Sequence, residues 1–229
     1  MSGTALITGG TGGLGTAVTS AFLGAGWRAV VPWIAEHELE RMPSHDRLTL
    51  IRGDLFDPGD ARRCADAAAA DSAAPVRAVI NLVGGFAMGG RVHETDVAEF
   101  EQQIRLNLRA AYLTCQAALP HLIAAGGGSI VCVSSQAALH PFPGAGGYIV
   151  SKAAVLGLAG ALEAEYSGDG IRVNTLLPGV IDTPANRASQ PDADRSNWVS
   201  PERVARVALF LCGDEAAAIS GARIPVDRA

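Results

Sequence analysis

The stretch TGGTGGLG, residues 8–15, constrains the fold more than any other part of the chain. It follows the apolar run ALIT and precedes a helix-like run from Leu14 to Leu23. Five of its eight residues are glycine, so that backbone rather than side chains can approach a neighbour closely. A strand, a glycine turn and a helix N-terminus together present amide groups and a helix dipole to an anion. No G-K-S/T sequence follows, so the turn predicts a dinucleotide site and disfavours a P-loop.

Two glycine registers overlap in this turn. Gly10, Gly12 and Gly15 form G-x-G-x-x-G, whereas Gly9, Gly13 and Gly15 form T-G-x-x-x-G-x-G. Glycine-rich turns match the first pattern by chance, and the strand–loop–helix context is what gives it meaning. The second register is favoured by the residues that follow further along the chain.

Short apolar runs alternate with helix-like segments along the whole chain. Strands are predicted at residues 5–8, 28–31, 48–52, 77–83, 129–135, 172–177 and 223–226. Helices are predicted at 14–23, at 58–70, from Asp96 towards Cys115 with Pro120 closing that region, at 147–165 and at 201–211. This alternation is typical of a parallel sheet covered on both faces.

We therefore predict an α/β doubly wound Rossmann fold with a seven-stranded, mostly parallel sheet. Residues 1–229 are expected to form a single domain, since one domain spans roughly 100–200 residues. The segment at about 180–200 has no helical or strand pattern of its own. Irregular segments of that length are often functional, so we predict that it is a lid.

Charge and cysteine usage limit the partners. The net charge is −5 with scattered Lys and Arg residues, so there is no basic face for nucleic acid. No apolar stretch reaches the roughly 18 residues of a membrane span, and no leader-like N-terminus is seen. The four cysteines lack any C-x-x-C spacing. We expect a cytoplasmic protein with a small-molecule substrate, free thiols and no metal site.

The residue that would separate NAD from NADP is missing from its usual place. An acid at the end of the second strand ordinarily binds the adenosine ribose 2′-OH. Here that strand ends at Pro32 and Trp33, and Glu36 lies beyond it. Asp54 and Leu55 follow the third strand, where they could meet the adenine or form an ordinary turn. The sequence leaves both cofactors open.

The stretch GGYIVSKAAV places Tyr148 and Lys152 four residues apart on a predicted helix, so both side chains share a face. A tyrosine has a pKa near 10, and a neighbouring cation favours its phenolate. This pair is therefore a candidate proton donor with a tuning cation. Ser135 lies at the end of the fifth strand, where α/β sheets bind ligands, and Asn107 occupies a helix interior, where asparagine is mildly unfavourable.

In this combination the chain resembles the short-chain dehydrogenase/reductase family, of the compact single-domain type, over essentially all 229 residues. TGGTGGLG matches the family's T-G-x-x-x-G-x-G loop, NLVGG its N-N-A-G turn, and LLPGVIDT its P-G-x-x-x-T segment. Asn107, Ser135, Tyr148 and Lys152 match its catalytic tetrad in order and spacing.

The resemblance implies hydride transfer between NAD or NADP and a carbonyl or alcohol. In this mechanism Ser135 steadies the carbonyl oxygen, Tyr148 exchanges the proton, Lys152 holds the nicotinamide ribose and lowers the Tyr148 pKa, and Asn107 supports a proton-carrying water. The implied cofactor contacts, beside Trp33, Asp54, Leu55, Tyr148 and Lys152, are Gly9, Thr11, Gly13, Leu14, Gly15, Asn81, Val83, Gly84, Pro178, Gly179, Ile181 and Thr183. Thr183 and the backbone near Ile181 are expected to hold the carboxamide. The resemblance also implies a homo-oligomer, a tetramer or a dimer.

Substrate contacts are expected after the strand ends and in the lid. The candidates are Phe86, Met88, His140, Phe142, Asn186 and Trp198. Two alternatives stay open. VGGFAMGG and LPGVIDTPANRASQPDADRSNW are similar to dihydropteridine reductase, although Ser135 and Asn107 are present here and Trp33 stands where that enzyme has an aspartate. The other alternative is a non-catalytic sensor of NAD(P).

Overall fold

The computed structural model describes residues 3–227, and its centre is one seven-stranded sheet. The strands are β1 (Thr4–Thr8), β2 (Arg28–Trp33), β3 (Leu48–Arg52), β4 (Val76–Asn81), β5 (Gly128–Val133), β6 (Ile171–Pro178) and β7 (Arg223–Val226). Their order is β3-β2-β1-β4-β5-β6-β7, and every neighbouring pair is parallel. The predicted doubly wound fold is therefore confirmed, with each strand within two residues of its predicted bounds.

Helices cover both faces of this sheet. They are α1 (Gly15–Gly24), α2 (Pro58–Ala69), α3 (Val97–Ile104), α4 (Ala110–Ala124), α5 (Gly146–Tyr166), α6 (Pro184–Ser189) and α7 (Pro201–Cys212). Helices α1 and α7 pack on one face, and α2, α4 and α5 pack on the other. Strand β1 shows why both layers are needed, because Ala5 and Ile7 point into the first layer, Leu6 points into the second, and all three are fully buried.

Local sequence explains where these helices begin. Asp57 caps α2 by accepting a hydrogen bond from the Asp60 amide at 2.9 Å, and Pro58 follows at the first helical position. Ser200 caps α7 in the same way. Such caps satisfy amide groups that have no acceptor inside the helix. Both helix starts could therefore be predicted from the sequence.

The long helix predicted from Asp96 differs from the structure. Helix α3 ends at Ile104, a π-helical turn spans Arg105–Arg109, and α4 continues through Pro120 to Ala124. Pro120 does not end the helix because it lies on the exposed side, where water can satisfy the carbonyl that loses its N–H partner. The π-helical turn contains Asn107, and such turns frequently occur at functional sites.

The segment at 180–200 is more ordered than predicted. It contains the short helix α6, which is capped by the Thr183 hydroxyl, and a bridge joins Ile181 to Val199 at its base. Asp182 and Arg187 form a two-pronged ion pair, with N–O distances of 2.5 and 2.7 Å. The sequence suggested an irregular segment because six helical residues are too few to show a 3.6-residue pattern.

Candidate active site

The sheet changes its winding direction between β1 and β4, because β2 and β3 lie on one side and β5 to β7 on the other. In open α/β sheets, ligands bind at this point, outside the carboxyl ends of the strands. Four segments meet there, namely the glycine loop after β1 and the segments after β4, β5 and β6. All four contain residues that the sequence predicted for the site.

The glycine loop is closely packed. Gly9 has φ +64°, a side chain at Gly15 would lie 2.0 Å from the Gly9 carbonyl oxygen, and one at Gly13 would lie 3.0 Å from Thr183 Cβ. At Gly12, by contrast, a side chain would meet only the Gly9 oxygen at 3.4 Å. A side chain at Gly10 would also be too close, at 2.7 Å from Val31 Cγ1. The loop therefore needs Gly9, Gly10, Gly13 and Gly15 but leaves room at Gly12, and the room at Gly12 favours the second of the two registers.

The same loop leaves hydrogen-bond donors without acceptors. Within residues 3–227, the amides of Gly13, Leu14 and Gly15 have no hydrogen-bond acceptor. They lie at the N-terminus of α1, whose first turn contains no acidic side chain. Unpaired amides beside a helix dipole are suited to phosphate oxygens. This part of the site therefore fits the pyrophosphate of a dinucleotide.

The candidate proton donor lies across the crevice. Tyr148, near the start of α5, lies beside Ser135, which follows β5. Burial raises the pKa of the Tyr148 hydroxyl, and the neighbouring Ser135 side chain opposes that rise. The net direction is opposite to the lowering expected from Lys152, because the ammonium lies 6.0 Å from the ring centroid and desolvation outweighs it.

Lys152 is the only lysine in the chain. It is 7% exposed, and its ammonium donates a hydrogen bond to the Val133 carbonyl at 3.1 Å. Its backbone is held as well, since its carbonyl accepts a hydrogen bond from the Ser134 hydroxyl at 2.7 Å. Burial lowers the pKa of Lys152 to about 8, because a low-dielectric surrounding disfavours the charged form.

Asn107 connects the turn after β4 with helix α5. Its amide oxygen accepts from the Gly85 N–H at 2.9 Å, and its amide nitrogen donates to the Gly85 carbonyl at 3.1 Å and to Ser151 Oγ at 3.0 Å. A side chain at Gly84 would lie 2.6 Å from Asn107 Oδ1 and 3.1 Å from Lys152 Nζ. The structure thus brings all four predicted tetrad residues, or the segments that contain them, to one crevice.

Several predicted cofactor residues have side chains that the structure uses elsewhere. Leu55 is buried in the core, and Asp54 accepts the Phe56 amide at 2.9 Å in a local turn. Asn81 is also buried, with its amide nitrogen 3.3 Å from the Cys115 sulfur and 3.7 Å from the Cys132 sulfur. Any contact of Leu55 and Asn81 with a cofactor would therefore have to come mainly from their backbone, whereas the partly buried Asp54 side chain uses only Oδ1 in the turn.

The remaining predicted cofactor residues lie around the crevice. Trp33 is partly buried at the end of β2, and Val83 packs against the core below the turn after β4. Thr183 is 9% exposed and stands against the glycine loop at Gly13. Pro178 ends β6 at the same edge of the sheet, and Gly179 follows it. The positions of Thr183, Pro178 and Gly179 are compatible with the nicotinamide side of the crevice.

The predicted substrate residues fall into two groups. Phe86 packs edge-on against the Tyr148 ring with a centroid distance of 4.9 Å. Met88 lies close to Phe86 in the sequence, His140 and Phe142 lie shortly before Tyr148, and all three side chains are exposed. These residues can meet a ligand. The other two candidates, Asn186 and Trp198, already make contacts within the protein. Asn186 donates to the Ile181 carbonyl at 2.8 Å, and Trp198 is 9% exposed beneath Arg195.

Sequence reasoning missed Ser151, which is fully buried and lies between two site residues. Its hydroxyl accepts from Asn107 and donates to the Tyr148 carbonyl at 2.7 Å. Gln103, 8% exposed, also approaches the Asn107 amide, with an N–O distance of 3.4 Å. Both residues share a helix face with a tetrad residue, three or four positions away, and this spacing is the signal that could have found them.

Comparisons with known proteins identify the family to which this fold belongs. The family model described as short chain dehydrogenase matches residues 3–194. The 2-(R)-hydroxypropyl-CoM dehydrogenase of Xanthobacter autotrophicus is 34% identical, covering 100% of this chain and 98% of the relative. The D-threitol dehydrogenase of Mycolicibacterium smegmatis is 33% identical, covering 97% and 90%.

A solved structure supports the same relationship. The 3-ketoacyl-(acyl-carrier-protein) reductase from Brucella melitensis complexed with NADH superposes with a TM-score of 0.86 at 26% identity, covering 98% of this chain and 96% of the other. None of these three relatives is a pterin reductase or a non-catalytic sensor. The two alternatives left open by the sequence therefore gain no support.

The lowered pKa of Lys152 gives a direct prediction. Because this is the only lysine, protein grown with ¹³Cε-lysine should show one lysine Cε resonance. This resonance should titrate with a midpoint pH of about 8 in the folded protein. In the urea-unfolded protein the midpoint should be about 10.4. From pH 8 to about 10.4 the unfolded chain binds more protons, so this group's contribution to the free energy of unfolding rises with pH. A folded midpoint close to the urea value would contradict the burial of the ammonium.

Proposed function

Because the chain belongs to the short-chain dehydrogenase family and is an NAD(P)-dependent oxidoreductase acting on alcohol or carbonyl groups, we propose that Ser135, Tyr148, Lys152 and Asn107 are its catalytic residues. One observation carries this proposal. The Tyr148 side chain lies beside Ser135 and 6.0 Å from the buried Lys152 ammonium, at the edge of the sheet where the glycine loop also ends.

A bound nicotinamide would supply or accept the hydride. Tyr148 gives a proton to the carbonyl oxygen during reduction and removes it during oxidation, while Ser135 holds the same oxygen. The raised pKa of Tyr148 keeps its hydroxyl protonated at neutral pH, as a proton donor requires. General acid catalysis of this kind contributes a rate factor of roughly 10²–10⁴.

The binding half of the proposal assigns the cofactor to the glycine loop and to the segments facing it. The free amides of Gly13, Leu14 and Gly15 would hold the pyrophosphate, with Gly9 and Thr11 shaping the turn. Lys152 would reach the nicotinamide ribose, and Thr183 with the Ile181 backbone would hold the carboxamide. The close approach of Thr183 to Gly13 supports this arrangement.

We propose a small, neutral, largely apolar substrate. Phe86 forms an apolar wall against Tyr148, and Met88 is 59% exposed on the same segment. The arginines of the 180–200 segment are engaged, since Arg187 pairs with Asp182 and Arg195 lies over the Trp198 ring at 5.7 Å. Neither is free to hold an anionic group. We assign this segment as a lid over the pocket.

A panel of carbonyl compounds tests this function. We expect the protein to reduce neutral methyl ketones with NADH or NADPH. For a sulfonate-bearing ketone of equal length, kcat/KM should be at least roughly tenfold lower, a difference of about 1.4 kcal/mol. Ser135→Ala should lower ketone reduction by roughly 10²-fold or more, as expected for loss of a group that binds the reacting oxygen. Activity confined to quinonoid dihydropterin and unaffected by Ser135→Ala would overturn the proposal.

We further propose that the protein is a single-domain homo-oligomer, a dimer or tetramer. An open groove of about 990 Å³ runs along α3, the π-helical turn, α4 and α5, and its walls are mostly apolar, with Glu101, Arg105 and Arg109 also lining it. Its lining includes Phe100, Ile104, Leu108, Tyr112 and Leu158.

Residues Gly146–Asp169 are long and apolar enough to cross a membrane by length and composition alone, yet they include Tyr148 and Lys152 and pack on strand β6. A second copy covering this face would explain that composition.

Light scattering would test the assembly, and a monomer mass would contradict it.

We also propose a cytoplasmic location. The four cysteines are free and buried, as expected in a reducing compartment. Recovery of the protein from a membrane fraction would contradict that location.

A further inference from the structure

One contact near the glycine loop was not expected from the sequence. The Thr11 hydroxyl donates a hydrogen bond to Glu38 Oε2 at 2.5 Å. Thr11 is 3% exposed, and the side chain of Glu38 is 27% exposed. Glu38 lies in a 3₁₀ turn, Glu36–Arg41, that follows strand β2. A carboxylate is thus held against the loop from a position beyond the strand end at Trp33.

The topology indicates which half of a dinucleotide would meet this carboxylate. The catalytic residues follow β5 or lie on helices beside β4 to β6, so the nicotinamide half extends to that side of the glycine loop. The adenosine half must then extend over β2, the other neighbour of β1. A carboxylate in that position accepts a hydrogen bond from a ribose 2′-hydroxyl and repels a 2′-phosphate.

Arg41 lies close to the Glu38 carboxylate, which separates it from the glycine loop. Arg41 Nη1 is 3.9 Å from Glu38 Oε1, while the other oxygen, Oε2, binds Thr11. The Arg41 side chain is 47% exposed. An arginine at the adenosine ribose is the usual partner of a 2′-phosphate. Here its charge faces a carboxylate, so it is poorly placed to attract that phosphate.

The neighbouring acid Glu36 lacks these contacts. It is exposed, and within residues 3–227 its carboxylate has no hydrogen-bond or ion-pair partner. It lies two residues before Glu38 in the same turn and carries the same charge. Glu36 therefore provides a matched control for any general effect of removing one negative charge from this surface.

We propose that Glu38 makes this enzyme selective for NAD over NADP, by accepting the adenosine 2′-hydroxyl and repelling a 2′-phosphate. The inference rests on the proposed cofactor site. In this chain the acid comes from the turn after β2 and not from the strand end, and Thr11 orients it. Glu38 is a specificity-determining residue that has no part in the proton transfer.

Equilibrium binding of NADH and NADPH to the purified protein, by calorimetry, tests the proposal without turnover. We expect the wild-type protein to bind NADH at least tenfold more tightly than NADPH, a difference of about 1.4 kcal/mol or more. Glu38→Gln keeps the shape and removes the charge, so the ratio of the two dissociation constants should fall about tenfold or more. The change should come mainly from tighter NADPH binding, because Arg41 is then unpaired.

Two further variants sharpen the test. Glu36→Gln should leave the ratio within about twofold of wild type, because the exposed Glu36 carboxylate is screened by solvent and makes no hydrogen bond to the loop. Glu38→Gln combined with Arg41→Gln should lose most of the gain in NADPH affinity. Equal wild-type affinities, an unchanged ratio in Glu38→Gln, or an equal change in Glu36→Gln would each overturn the role of Glu38 alone. If neither nucleotide bound, the proposed cofactor site itself would fail.

Discussion

The side-chain amide of Asn107 is the interaction on which the geometry of the site depends. It exchanges two hydrogen bonds with Gly85 and donates a third to Ser151, whose hydroxyl donates to the Tyr148 backbone. A buried amide must find partners or lose roughly 1–3 kcal/mol per unsatisfied group. The π-helical turn places this amide where those partners are. One side chain thereby fixes the distance between the turn after β4 and the helix that contains the proton donor.

Burial of the single lysine is the second constraint. Of the 18 Lys and Arg residues, Lys152 alone is a lysine, and it is buried within the site. A guanidinium stays charged at any ordinary pH. An ammonium with a pKa near 8 can instead exchange its proton close to neutrality. The choice of lysine therefore suits a crevice through which protons must be replaced after each turnover, and burial alone produces the shift.

Much of this arrangement could be predicted from the sequence, for identifiable reasons. The inner strands β1, β2, β4, β5 and β6 are continuous apolar runs covered on both faces, so their positions were clear from composition. Gly9, Gly13 and Gly15 were found by their spacing, which marks positions where neighbouring atoms leave too little room for a side chain. Tyr148 and Lys152 were found because a spacing of four residues places them on one helix face.

Other features depend on tertiary contacts that no local pattern records. The π-helical turn at Asn107 requires Gly85 and Ser151, which are distant in sequence. The upward shift of the Tyr148 pKa depends on burial by neighbouring segments, so that the effect expected from Lys152 was outweighed. Glu38 lies beyond the strand end where the acid was sought, and only its bond to Thr11 shows where it points.

The central claim is that Tyr148 transfers the proton while the rest of the chain holds the cofactor. The most direct measurement is deuterium transfer from [4-²H]nicotinamide cofactor into the alcohol product, by mass spectrometry, for the wild-type protein and Tyr148→Phe. Binding of the reduced cofactor to both proteins is measured alongside. The account predicts labelled product from the wild type, a loss of roughly 10²–10⁴-fold in the variant, and cofactor dissociation constants within about threefold of each other. Near-normal label transfer by Tyr148→Phe would contradict it.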